Sequence, residues 1–170
     1  MRIEVVCLGN ICRSPAAEAV LVHELRAAGI EDVEVTSAGT GGWHVGEEPY
    51  HLSRAEGERR GYVFDTVARQ LGAREVAEAD LVLVMDESNL RDVRALSPDA
   101  EAARRVVMLG AFAPGAERDG AQAVPDPYGQ DAPAFTAMYD QVEPAVRGVV
   151  RAIEDGRVDE VLDREAARMP

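Results

Sequence analysis

The chain has 170 residues, 46% of them hydrophobic and 29% charged, with a formal net charge of −13. That length buries a core without staples and points to a single domain. The acidic balance argues against nucleic acid and anionic membrane as partners, because both are held by clustered Lys and Arg.

In chain order, Met1 to Gly9 runs directly into a strand-like segment and lacks the layout of a signal peptide. No apolar run approaches the ~20 residues needed to cross a bilayer. The expectation is therefore a cytoplasmic protein. Ile3 to Cys7 is apolar and β-branched, a buried strand. A Gly-containing loop follows, then Ser14-Pro15-Ala16-Ala17-Glu18, which reads as a helix start: Ser as N-cap, Pro at the first helical position and an acid in the first turn. Gly29 ends that helix. Val33 to Ser37 is a second strand, and Ala38 to Pro49 a Gly-rich loop holding the lone Trp43. Leu52 to Arg60 is helical and stops at Gly61. Ala79 to Asp86 is a third strand, Glu87 to Leu96 a helix, and Arg104 to Gly110 a fourth strand. Phe112 to Gln130 is a long loop rich in Pro and Gly. Ala134 to Glu154 is a long helix in which Pro144 predicts a kink. Residues 156–170 form a charged C-terminal extension, expected to be helical, behind a domain spanning residues 1–155. Apolar strands alternating with helices predict an α/β fold: one four-stranded parallel sheet covered on both faces. In such sheets ligands sit at the carboxyl ends of the strands, and Cys7 ends the first.

The loop after Cys7 points several backbone N–H groups at one place. With the positive end of the helix dipole, it makes an anion cradle from the amides of Leu8, Gly9, Asn10, Ile11, Cys12, Arg13 and Ser14. The field there favours the thiolate form of Cys7, a nucleophile. Arg13 can grip an oxyanion in bidentate fashion. Ser14 is placed either to cap the helix or to donate to the Cys7 sulfur. The spacing, Cys7 then five residues then Arg13, is nucleophile, loop and clamp for a phosphoryl group, while the Gly-Lys-Ser/Thr of a Walker loop is missing. His23, His44 and His51 show no ligand spacing and read as surface or helix residues, so neither metal nor cofactor is expected.

Val6 to Pro15, "VCLGNICRSP", resembles the signature of the low-molecular-weight protein tyrosine phosphatases. Asp126-Pro127-Tyr128 in the late loop, Met85 to Asp92 after the third strand, and Ser37 to Gly39 with Trp43 behind it resemble further landmarks of that family. The resemblance runs from Ile3 to about Glu154. It implies that Cys7 is the nucleophile, Arg13 the phosphate clamp, and Ser14 the support of the sulfur. It makes Asp126 the general acid that protonates the tyrosyl oxygen and then activates water against a cysteinyl phosphate. It implies that Asn10 props the loop with a polar neighbour, Ser37, and that Trp43 and Tyr128 wall a crevice for the substrate ring. A His that relatives carry before Ala68-Arg69-Gln70 is Val67 here, and the aromatic that often follows Asp-Pro-Tyr is Gly129. Met85 to Asp92 is expected to be structural, with Asp86 or Ser88 capping a helix and bracing the loop.

Cys12 sits beside the nucleophile as a redox partner: both thiols are expected to be reduced at rest, with Cys12 capturing a Cys7 sulfenate under oxidation. The expected substrate is a tyrosine-phosphorylated protein, the product inorganic phosphate, and the protein a monomer. Two alternatives share the fold. An arsenate reductase needs relay cysteines, and none follows Cys12. Phosphoarginine phosphatases carry Thr where this chain has Ile11, an apolar wall suited to a phenyl ring. A non-catalytic phosphotyrosine-binding module would have no need to keep Cys7, Arg13 and Asp126 together.

Overall fold

Four strands, β1 (Arg2–Cys7), β2 (Glu34–Gly39), β3 (Leu81–Val84) and β4 (Val106–Met108), pair in parallel in the order β2-β1-β3-β4. The computed structural model describes residues 1–168 of the chain. Ile3 lies opposite Val35 and Leu81, Val6 opposite Ala38 and Val84, and Cys7 opposite Gly39. The chain leaves β1 for β2 on one side, then crosses to β3 on the other. This places the switch in winding direction at β1, and a crevice opens at the carboxyl ends of the strands at such a point.

Alternate residues of β1 serve the two faces of the sheet. Ile3, Val5 and Cys7 join the larger core cluster with Val20, Leu21 and Leu25 of α1 (Arg13–Ala27). The same cluster takes Phe135, Tyr139, Val142, Val146 and Val149 from α7 (Ala132–Glu154). Val6, Val82, Val84 and Val106 form the opposite core under Val76 of α3 (Ala73–Glu78) and Val93 of α4 (Glu87–Leu96). Burial on both faces is why these strands read as unbroken apolar runs.

All four predicted strands form, but β3 and β4 are shorter than the sequence suggests, since the flanking residues serve as connections. The loop expected over Phe112 to Gln130 begins on a 3-10 turn (Leu109–Phe112) and contains α6 (Ala116–Asp119). Neither α3 nor α5 (Ala100–Arg104) was foreseen: both are too short to show an apolar period, although Asp99 caps α5 by accepting the Ala102 N–H at 2.8 Å. α2 (His51–Arg59) and α4 match expectation, and α7 runs unbroken through Pro144. The start of α1 differs in kind. Cys12 is its N-cap, Arg13 its first residue, and its first turn holds no acid. Ser14 is not the cap; it is buried and turned toward Cys7.

Residues 156–170 were read as an extension. Their helix α8 (Val158–Ala167) lies against the body of the protein: Leu162 is buried in the main cluster and the Arg164 guanidinium donates to the Ala111 carbonyl. Residues 169–170 fall outside the described part. Among the described residues no helix is long and apolar enough to cross a membrane.

Candidate active site

The segment from Cys7 to Arg13 is held from outside by its carbonyls. Thr40 N–H donates to Cys7 O and Gly41 N–H to Leu8 O, both at 2.9 Å. Tyr50 N–H reaches Ile11 O at 2.7 Å, and Ser53 Oγ reaches Cys12 O at 3.0 Å. With carbonyls turned outward, amides can turn in. The Asn10 N–H does so, donating to Cys7 Sγ at 3.3 Å. Asn10 makes the turn at φ 55°, in the left-handed region that Asn tolerates better than most residues.

The close approach of β2 sets a second condition. A Cβ on Gly39 would stand 2.8 Å from Leu8 O and 3.1 Å from Asn10 N, so no larger residue fits against the loop there.

Polar side chains pass from the loop into the core. Asn10 Nδ2 donates to Ser14 Oγ and Ser37 Oγ, each at 2.9 Å. Ser14 Oγ therefore accepts from Asn10; it lies 3.1 Å from Cys7 Sγ and 3.4 Å from the Ala38 carbonyl, the two acceptors within reach of its proton. Ser37 Oγ donates to the Glu18 carboxylate, which also accepts from Thr66 Oγ1 at 2.7 Å. Val67, standing where relatives were expected to have His, points into solvent at 55% exposure, and Thr66 beside it closes the network.

Arg13 is 3% exposed. Its Nη1 donates to Asp86 Oδ2 at 2.6 Å and to Val124 O at 3.0 Å; its Nη2 lies 3.4 Å from Asp126 Oδ2. Asp86 thus does both things expected of its segment: it caps α4 through the Asn89 N–H and fastens the clamp. Burial works against the Asp86 carboxylate, but hydrogen bonds from Arg13 and Asn89 outweigh it and hold the group below the ordinary range. Asp126 is exposed and is oriented by the Tyr128 N–H, which donates to its Oδ1 at 3.1 Å.

Cys7, Leu8, Gly9, Ile11, Cys12, Trp43, His44, Asp126 and Tyr128 line a crevice of about 140 Å³. Every expected site residue except Asn10, Arg13 and Ser14 faces it, and those three lie just beneath in the hydrogen-bonded shell. Trp43 rests on Gly41, where a Cβ would fall 1.8 Å from its ring, and stays 72% exposed at the rim. Tyr128 packs on Tyr50, with ring centroids 5.2 Å apart, and Tyr50 stacks on Phe135 of the core at 5.6 Å.

His44, expected as a surface or helix residue, lies half-buried in the surface loop and also lines the crevice. Its ring lies 5.9 Å from Tyr128, its Nδ1 is 2.7 Å from Glu47 Oε2, and it forms part of the crevice wall. The only signal for it was its place next to Trp43 in the Gly-rich loop. Tyr50 was likewise missing from the site as read from sequence, and the direct bond of Asp86 to Arg13 goes beyond the bracing expected of its segment.

The two thiols are both free, yet unequal. Burial, Cys7 and Asp126 push the Cys12 thiol up, against a smaller opposing effect of Arg13, so Cys12 stays protonated at neutral pH. Cys7 has the hydrogen-bond donors. Among the described residues no group of three or more His, Cys, Asp or Glu side chains is placed to hold a metal ion.

Fold and site together define a class: open parallel sheets that grip a tetrahedral oxyanion beside a thiol at the end of the first strand. Residues 2–159 match the family model for low molecular weight phosphotyrosine protein phosphatase. A low molecular weight protein-tyrosine-phosphatase of Streptomyces coelicolor is 39% identical over 155 residues, 91% of this chain and 94% of that protein. The crystal structure of a protein tyrosine phosphatase from Entamoeba histolytica has a TM-score of 0.86 at 30% identity, covering 93% of this chain and 99% of that one. The Drosophila arginine phosphatase DARP has a TM-score of 0.82 at 28% identity, covering 90% and 98%. The chain belongs to the low molecular weight phosphotyrosine protein phosphatase family.

Proposed function

We propose that the protein hydrolyses phosphotyrosine in phosphoproteins through a cysteinyl phosphate, with Cys7, Arg13 and Asp126 as its catalytic groups. The observation that carries this is the sulfur of Cys7, held by the Asn10 N–H and beside Ser14 Oγ, at the floor of a crevice that also contains Asp126. The Cys7 thiolate attacks phosphorus; the S–P bond forms as the bond to the tyrosyl oxygen breaks. Asp126 gives its proton to the departing oxygen. The amides from Leu8 to Ser14 and the Arg13 guanidinium take the charge on the equatorial oxygens. An arriving phosphoryl group competes for Arg13 Nη2 and releases Asp126, while Asp86 keeps Nη1 in place. In the second step Asp126, now a carboxylate, takes a proton from water as that water attacks phosphorus. Inorganic phosphate leaves and the Cys7 thiolate returns with Ser14 Oγ beside it.

Ile11 on the crevice wall and the aromatic rims Trp43 and Tyr128 favour an aryl phosphate over phosphoarginine. The lack of cysteines after Cys12 speaks against an arsenate reductase. Cys12 serves as the redox partner: a Cys7 sulfenic acid formed by peroxide condenses with the Cys12 thiol to a disulfide and water. We further read the protein as a cytoplasmic monomer whose residues 1–155 carry catalysis, with α8 as an added buttress.

The test is leaving-group dependence. Asp126→Ala is expected to slow phenyl phosphate and phosphotyrosine peptides by about 10²–10⁴-fold, the usual worth of a general acid, and p-nitrophenyl phosphate far less. Equal losses on all three would remove Asp126 from the role. A phosphoarginine peptide cleaved faster than the phosphotyrosine peptide would reverse the substrate assignment.

A further inference from the structure

β1 carries a residue that its packing does not explain. Glu4 stands between Ile3 and Val5 in the sheet interior, on the same face as Val6, and is 4% exposed. A buried carboxylate is costly in such a place, and an apolar side chain would fill it more cheaply. Its oxygens are fully engaged. Thr36 Oγ1 donates to Oε2 at 2.7 Å, and Arg69 Nη2 donates to Oε1 at 2.5 Å.

Arg69 is where this pair meets the phosphate loop. Its backbone N–H donates to Asn10 Oδ1 at 3.0 Å, and its carbonyl accepts the Gly39 N–H at 2.8 Å. Asn10 has one side-chain acceptor and one NH2 group. The NH2 reaches Ser14 and Ser37; the acceptor faces Arg69. The orientation of the side-chain amide plane, and with it the donor that Ser14 Oγ receives, is therefore tied to the Arg69 backbone as well as to Ser14 and Ser37, and the anchored side chain in turn restrains the Asn10 backbone whose N–H reaches Cys7 Sγ. That backbone lies outside any named helix or strand; the Gly39 N–H and the Leu71 N–H bond across a short parallel bridge to the end of β2, and the guanidinium bonded to Glu4 is its further anchor.

Resting on the phosphatase reading above, we propose that Glu4 is a positioning residue for catalysis. By holding the Arg69 guanidinium it fixes the Arg69 N–H that orients Asn10, and Asn10 sets the hydrogen bonds to Cys7. No bond in this chain exceeds 3.3 Å, from the sheet interior to the sulfur. Burial raises the Glu4 carboxyl above its ordinary range, with the bonds from Thr36 and Arg69 opposing. Its retention as an acid thus costs stability near neutral pH, which fits a residue kept for the site rather than for the fold. Glu4 and Arg69 themselves line a cleft whose other charged groups are Arg2, Glu34, Glu75 and Glu78, of which Glu75 approaches Arg69 only to 3.7 Å.

Glu4→Gln keeps the volume and removes the charge. It is expected to lower kcat/KM for p-nitrophenyl phosphate and the rate of Cys7 alkylation by iodoacetate, each about 3–10-fold, with a thermal midpoint at or above that of the wild type. In an Asn10→Ala background the same substitution should change neither rate by more than about 2-fold. Arg69→Gln, at a more exposed position, should reproduce both results and serves as the second variant if Glu4→Gln folds poorly. Unchanged rates in the single variants would overturn the proposal. So would losses that multiply in full with Asn10→Ala, or losses that simply follow a fall in thermal midpoint. The alkylation arm needs no substrate. A wild type without phosphatase activity would refute the function while leaving the positioning role to be read from Cys7.

Discussion

Ser14 shows how much one hydroxyl decides. Its residue type and place suit a helix cap, and its partners make it something else: it accepts from Asn10 and faces the Cys7 sulfur. A hydrogen bond to a charged group is worth about 1.5–3 kcal/mol. Ser14→Ala is therefore expected to lower kcat by about 10–100-fold while leaving KM for aryl phosphates within a few-fold. Steady-state kinetics with kcat unchanged would return Ser14 to a purely structural role. Cys7, Arg13, Asn10 and Asp126 were legible because their chemistry is tied to short-range spacing or to a tripeptide. His44 and Tyr50 were not, because their places in the site come from contacts across the chain, as with Tyr50 on Tyr128; Asp86 was expected to brace the loop, but its bond to Arg13, 73 residues away, was not legible. The Glu4 to Arg69 bond, 65 residues apart, is invisible for the same reason.

At the scale of elements, two contacts hold α7 to its neighbours. The first is the crossing of α7 with the turn at Leu109–Phe112. A Cβ on Gly148 would fall 1.8 Å from Phe112 O, a backbone atom that cannot move alone. Overpacking of this kind typically costs about 1–3 kcal/mol. Gly148→Ala should lower stability by at least that much in urea unfolding; a change within about 0.5 kcal/mol would show that the crossing is looser than described. The second is the charge cluster joining the end of α2 to α7. Arg59 and Arg60 both reach Glu56 at 2.7 Å, and Arg60 reaches Asp140 at 2.8 Å. The hydrogen bond from Arg59, helped by Arg60 against some burial, holds the Glu56 carboxyl at about 2. An unfolded Glu titrates near ~4.3, so the folded group lies below it. Its stabilisation is present above that pH and fades as pH falls toward about 2. Urea midpoints of wild type and Glu56→Gln should differ at pH 6 and converge near pH 2; a gap that widens on acidification would contradict the assignment. Strands and long helices were legible through apolar runs and caps. α3, α5 and α6 were not, because four to six residues cannot display a helical period.

On the scale of the whole molecule, topology gathers what sequence scatters. Cys7 ends β1, Gly39 ends β2, and Asp86 follows β3. The parallel sheet puts all three at one edge. The late loop reaches the same edge because the Val124 N–H donates to Met85 O at 2.8 Å, bringing Asp126 to the crevice. A chain carrying −13 overall thus presents one buried guanidinium and a turn of amides where an anion can settle. The central claim is that this edge exists to place a phosphoryl group on one of two neighbouring sulfurs. Rapid acid quench of the enzyme turning over p-nitrophenyl phosphate, followed by peptide mass spectrometry, tests it most directly. The account predicts one phosphoryl group on the peptide Ile3 to Arg13, located at Cys7 and missing in Cys7→Ser. Turnover without that adduct, or an adduct located at Cys12, would contradict it.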